Sequence, residues 1–295
     1  MTTLKAIKKH WHCYLWISPF YILFGIFAVA PAIYGLVISF TNYNGYSAYK
    51  FVQFQNYEKL FRDALFWKTL VNSGVLWLLI VPLRTFLALL LASMLNSKKV
   101  IGRQVYSVVV LLPYVTAVAV VASLFRILLT TEGGLVNVLL HQVFGIGPIN
   151  WLDSTEWSKV SVAVMNIWRM TGYLSLVLLA GMQKISTSVI EAAELDGANA
   201  VKKFFHITLP LLSSEIFFVL LMSTIWIFQN IGDVMVLTGG GPLNSSTNLV
   251  LYIYRNAYEF SKVGYASAMS YVLFVILLLF SAFSVKGHYR GKEQA

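Results

Sequence analysis

The sequence predicts an all-α membrane protein with six transmembrane helices, and three observations predict it. Of 295 residues, 58% are hydrophobic and 12% charged, with a mean hydropathy of +0.72. A soluble domain carries roughly a quarter charged residues, and this chain has too little polar surface to cover a water-exposed globule. The apolar residues also gather in six runs, each long enough for the about 20 helical residues that cross roughly 30 Å of hydrocarbon. An ordinary soluble enzyme and a disordered chain are thereby excluded. So is an internal disulfide scaffold, because Cys13 is the single cysteine.

The expected spans are 15–40, 69–95, 104–129, 160–182, 214–237 and 264–285. Before the first lie Lys5, Lys8 and Lys9, and inside it Ala28-Val29-Ala30, the ingredients of a cleavable leader. Pro31 would follow the cut and the apolar run continues to Phe40, so the segment reads as a retained first helix. Trp67 and Trp77 stand near the start of the second span, and Trp151 and Trp157 before the fourth, as in an interfacial aromatic belt. The sixth contains Tyr271 to Phe280 (YVLFVILLLF), which lacks the alternation of a barrel strand. Lipid leaves backbone groups no outside partner, so each span is expected to be helical.

The net charge of +10 is a topology signal more than a nucleic-acid footprint, because basic residues flank apolar runs instead of forming one face. Lys5, Lys8 and Lys9 lie at the N-terminus, and Lys98, Lys99 and Arg103 in the second connection. Lys184, Lys202 and Lys203 lie in the fourth, and Lys286, Arg290 and Lys292 in the tail. The third connection has only Lys159 at its edge, and Glu58, Asp63 and Glu259 offset the first and fifth. Both termini and the even connections are therefore expected in the cytoplasm. Residues 1–14 form a cytoplasmic N-terminus, 15–285 the six-helix domain and 286–295 a cytoplasmic tail.

The fourth connection is long and patterned. Ser186 and Ser188 offer caps before Ile190–Leu195, a run of good helix formers. Gly197 suits a helix end that needs positive φ. A second helical stretch passes Phe204 and Phe205 until Pro210 starts the next element. Two short helices joined at a glycine form a knob whose Ala192 and Ala193 admit close approach by another protein; an unpartnered amphipathic linker is the plainer alternative.

The spacing Glu191-Ala192-Ala193, then Gly197, then Ile207-Thr-Leu209-Pro210 closely resembles the signature loop of permease subunits of binding-protein-dependent ATP-binding cassette (ABC) importers. Phe51-Val-Gln-Phe-Gln-Asn56-Tyr57 with Leu65-Phe66-Trp67 resembles the first outer loop of carbohydrate permeases. Asn166-Ile-Trp168 and Leu179-Ala-Gly-Met-Gln183 resemble their fourth span. Leu237-Thr-Gly-Gly-Gly241-Pro242 with Asn244-Ser-Ser-Thr247, then Gly264-Tyr-Ala-Ser-Ala268, resembles the fifth outer loop and sixth span of the maltose-transporter-type subunit. The resemblance implies the type I ABC importer permease fold in a bacterial or archaeal inner membrane. It implies an unlike second permease subunit, an ATPase dimer docking on 186–212, and an extracytoplasmic solute-binding protein. No cofactor is expected on this chain; ATP and Mg belong to the partner ATPase. Within 186–212, Glu191, Ala192, Ala193, Gly197, Ile207, Leu209 and Pro210 are the expected coupling residues.

Catalysis on the chain itself is not expected. No G-x-x-x-x-G-K-[ST] occurs, and Gly239-Gly240-Gly241 lacks the following lysine, so it reads as a flexible outer turn. The histidines His10, His12, His141, His206 and His288 form no metal-spaced set. A carbohydrate would be met elsewhere. Asn166, Arg169, Met170 and Tyr173 recur at helical spacing on the fourth span, as do Ser223, Trp226, Ile227 and Asn230 on the fifth. Polar residues inside spans face a cavity or a neighbouring helix. The resemblance favours the sugar passage, although Arg169, Met170 and Ile227 depart from the maltose pattern. Arg169 either holds an acidic sugar or sugar phosphate, or pairs with Asp233 or a partner-subunit acid. The function read from all this is half of the pore of an ATP-driven sugar or oligosaccharide importer. The alternative, an ion-driven secondary transporter, needs intramembrane carboxylates, for which Asp233 is the one strong candidate.

Overall fold

The computed structural model describes residues 10–97 and 100–293. Lys5, Lys8, Lys9, Lys98 and Lys99, which contribute to the charge bias, lie outside the described residues. Among the described residues the regular elements are helices, with one isolated bridge between Thr41 and Phe51. Four helices are long and apolar enough to span a membrane, Trp11–Ser39, Ala64–Asn96, Trp157–Met182 and Val263–His288. Counting bent pairs as single spans brings the number to as many as six. The chain divides into two compact units.

The first unit comprises residues up to 63 together with 253–276. Its long helix is α1 (Trp11–Phe24), a π-turn at Gly25–Val29 and α2 (Ala30–Ser39). Pro31 has no N–H to return to the preceding turn, and the π-turn directly before it takes up the irregularity. Asn56, in the amphipathic helix α3 (Gln55–Arg62), donates from Nδ2 to the carbonyls of Ser39 and Thr41, both at 2.8 Å. It thereby satisfies carbonyls that the end of α2 leaves open. Tyr265 donates to the Asp63 carboxylate at 2.7 Å.

The second unit comprises 64–252 and the end of the last helix. Its axis is α4 (Ala64–Asn96), packed on α8 (Trp157–Met182) through a core that includes Ala88, Ala92, Leu174, Leu178 and Met182. Trp77 stands far inside α4, about 20 Å from its start at 1.5 Å per residue, and donates to Thr224 Oγ1 at 2.9 Å. It ties helices together and departs from the belt expected of it.

Two expected spans are broken. The third is α5 (Arg103–Val115) and α6 (Val118–Leu128), bent by 89°. Thr116 and Ala117 are extended there, just after Pro113 removes a helical donor. α7 (Leu135–Phe144) follows in the third connection. The fifth is α12 (Ser213–Gln229), which stops at an extended Asn230 before α13 (Gly232–Leu237). The last helices are α14 (Leu249–Tyr254) and α15 (Val263–Glu293), which carries the sixth span and continues past residue 285.

The loop that follows the Gly239–Gly241 turn is fastened by side chains of the main helices. Lys68 Nζ donates to the Leu243 carbonyl at 2.8 Å and Lys159 Nζ to that of Ser245 at 2.9 Å. Asn72 Nδ2 bonds the carbonyls of Asn244 and Thr247 at 3.0 and 2.9 Å. These three side chains come from α4 and α8, so the loop inherits the rigidity of the main helix pair.

Candidate functional site

The break after α12 builds the site. With Asn230 extended, its carbonyl leaves the helical ladder and accepts from Asn248 Nδ2 at 2.5 Å. Its side chain turns forward, accepting the Asp233 N–H at 3.2 Å and donating to Asp233 Oδ2 at 2.6 Å. An interrupted helix is tolerated at membrane depth only where neighbours satisfy its freed groups, and here asparagines on both sides do so. The interruption places the Asp233 carboxylate against the middle of α8.

There it is held by two of the expected residues. Asn166 Nδ2 donates to Oδ2 at 2.5 Å, and Arg169 Nη2 to Oδ1 at 3.1 Å. Asn166 in turn accepts from Arg84 Nη1 at 2.7 Å. Asp233 thus receives three side-chain donors, which is what a buried carboxylate requires. Of the two readings open for Arg169, the pair with Asp233 is the one this structure contains. Arg84 is a member sequence reasoning missed. Its signal was a bare cation in the second span, which declared no partner because the partner lies 82 residues away.

The remaining expected residues divide by exposure. Asn166, Met170, Ser223 and Ile227 are buried inside this chain. Arg169, Tyr173, Trp226 and Asn230 are half-buried and share the outer part of the cluster. Tyr173 stacks on Tyr114 with centroids 4.4 Å apart and meets Trp226 at 5.9 Å. Tyr114, from α5, was also missed. It is aligned by the crossing of α5 over α8 at Gly172, where an added Cβ would strike the Val110 carbonyl. The result is a row of three rings, with Arg169 one helical turn from Tyr173 on the same face of α8.

A second group of expected residues forms the elbow between α8 and α12. α9 (Thr187–Leu195) contains Glu191 and Ala192, both exposed, and Ala193. Ser186 and Ser188 bond each other at 2.7 Å instead of capping the helix. Gly197 turns the chain with φ of 77°. Asn199 then caps α10 (Ala200–Lys203), accepting the Lys202 N–H at 2.9 Å. The helix runs on through a π-turn at Phe204–Thr208, containing Ile207, into α11 (Leu209–Leu211). Pro210 was expected to begin the next element, and it stands in the opening turn of α11. The 68° bend comes instead between Leu211 and Ser213. Lys203 and Glu194 bridge the two arms at 2.5 Å. Leu195 is 90% exposed, and Val201, Phe205 and Leu211 are uncovered as well.

Residues 84–290 match the binding-protein-dependent transport system inner membrane component family. The lactose transport system permease protein LacF of Rhizobium radiobacter is 32% identical over 99% of both chains. A bacterial ABC transporter that imports the acidic polysaccharide alginate contains a chain of similar structure. The TM-score is 0.83 at 26% identity, covering 98% of this chain and 99% of that one. The alginate transporter in complex with an alginate pentasaccharide-bound periplasmic protein matches with a TM-score of 0.81, also at 26% identity and covering 96% of each chain. The match spans the cluster, the elbow and most of the last helix, and this chain belongs to the inner membrane components of binding-protein-dependent transport systems.

Proposed function

We propose that the chain is one of two unlike permease subunits in an importer of sugars or oligosaccharides, with both termini in the cytoplasm. An ATPase dimer grips the elbow at 186–212, and an extracytoplasmic binding protein delivers substrate to the outer loops. The observation that supports this reading best is the elbow itself. A charged and capped two-arm knob leaves Leu195, Val201 and Phe205 uncovered, which suits a protein groove better than water. The relatives' cargoes, lactose and alginate, supply the carbohydrate class.

The coupling is differential affinity. ATP, held with Mg by the ATPase dimer, and the loaded binding protein both favour the outward-facing state, so each raises the other's hold on the complex. Glu191 makes the charged contact with the ATPase, while Ala192, Ala193 and Gly197 keep the surface low enough for close fit. Ile207, Leu209 and Pro210 stiffen the arm that leads into α12, so a push on the elbow reaches the Asn230 break. Asn166, Arg169, Met170, Tyr173, Ser223, Trp226, Ile227 and Asn230 form and support the sugar-facing wall.

Reconstitution of the full complex in liposomes tests the reading. Uptake should require ATP on the elbow side and survive ionophores; uptake by this chain alone that collapses with an ion gradient would replace the ABC reading with a secondary transporter. Glu191→Lys is expected to leave assembly largely intact while cutting ATP-driven uptake at least tenfold. Normal uptake by that variant would remove Glu191 from the coupling contact.

A further inference from the structure

The polar cluster is one negative charge short. Arg84 and Arg169 bring two guanidinium groups, and Asp233 is the one carboxylate that bonds either of them among the described residues. Arg84 is 1% exposed and its hydrogen-bond partner, Asn166, is neutral. Arg84 Nε, Arg84 Nη2 and Arg169 Nε are buried without a partner. Guanidinium does not lose its proton in proteins, so the excess cannot be removed by titration. A cation at membrane depth is held by an anion or by water in a cavity, and the internal pair that accounts for Arg169 leaves the Arg84 charge unanswered.

The geometry points to a carboxylate or other anionic group of the transported saccharide as the missing charge, received by Arg169. This rests on the carbohydrate reading and narrows it. Arg84 is sealed within the chain, so it acts as a positioning residue. Through Asn166, which bonds both Arg84 and Asp233, it draws on the same carboxylate as Arg169. Arg169 is the member that reaches outward, with 15% of its side chain exposed and one edge committed to Asp233. The planar fork of arginine leaves a second edge for an oxyanion. One helical turn further along the same face of α8, Tyr173 stands in a row with Tyr114 and Trp226. A neutral sugar would use only the rings; an acidic sugar would use the rings and the charge together.

The test uses the purified complete complex and a matched pair of probes, an oligouronate and the same oligomer with its carboxyls reduced to alcohols. Binding is followed by Trp fluorescence at low and high salt. The acidic oligomer should bind at least tenfold more tightly, and the preference should shrink as salt rises. Arg169→Gln should bring the ratio close to one, because it removes the charge that receives the oxyanion. Arg169→Lys, which keeps the charge and loses the fork, should fall between, and serves if the glutamine variant does not assemble. Equal binding of both oligomers by the parent complex would overturn the inference and leave the carbohydrate reading standing. Binding of neither, with no sugar-dependent uptake, would overturn both. If Arg169→Gln weakens association of the two permease subunits and leaves the preference unchanged, the missing anion is a carboxylate of the other subunit and the inference falls.

Discussion

Asp233→Ala is expected to destabilise the folded subunit by about 3–5 kcal/mol, the usual consequence of removing one member of a buried ion pair. The carboxylate accepts from Asn166, Arg169 and Asn230. Without it, two guanidinium groups face each other across a neutral asparagine, and Asn230 loses the bond that shapes the helix break. Solubilised complex should melt well below the parent, and most of the subunit should be lost from the membrane fraction. Asp233→Asn should do less harm, since it keeps the shape and one acceptor. The double variant Asp233→Ala with Arg169→Met should recover part of the loss, because it removes one of the two stranded charges; such non-additivity is the sign of direct coupling. A melting temperature for Asp233→Ala close to that of the parent would mean that water, not the carboxylate, carries the arginines.

The carboxylate also shows which parts of this molecule its sequence declares. Hydrophobic run length is a local property, so the existence of the spans was legible. Their breaks were not. The apolar run continues through Ile231 and Val234 past Asn230, and periodicity carries no information about a side chain 18 residues further on that captures the freed carbonyl. At Thr116 the signal was partial: Pro113 marks a weak point but says nothing of an 89° turn. The elbow was readable at Gly197, where the positive φ is a local requirement, but not in its caps, for Ser186 and Ser188 were expected and Asn199 is the side chain that caps a helix there. Beyond it Pro210 was legible as the start of an element, where proline's missing N–H costs nothing, but the 68° bend after Leu211 was not. The pairing of Arg169 with Asp233 stood among the alternatives, for charges inside a membrane seek opposites. Arg84 could not be assigned, because Asp233 already had a claimant in Arg169.

Gly172→Ala should be the most damaging single-methyl change in the second unit. An ideal Cβ on Gly172 would lie 1.7 Å from the Val110 carbonyl oxygen and 3.3 Å from the Val110 Cβ. The obstruction is backbone, so no rotamer change relieves it; α5 and α8 must part by an ångström or more. Overpacking of this kind costs about 1–3 kcal/mol in ordinary cores, and small residues at a crossing are what let membrane helices approach closely. The displacement would also separate Tyr114 from Tyr173, which stack at 4.4 Å one residue beyond Gly172. Stability and sugar binding should therefore fall together. Gly74→Ala is the control, because nothing lies within 4 Å of its added carbon and alanine favours a helix over glycine by about 1 kcal/mol. Unfolding of the two variants, read beside Trp226 fluorescence, separates a crossing that depends on bare backbone from one with slack. If both alanines behave alike, the helices have room to spare, and the ring row is set by its own side chains instead of by the crossing beneath it.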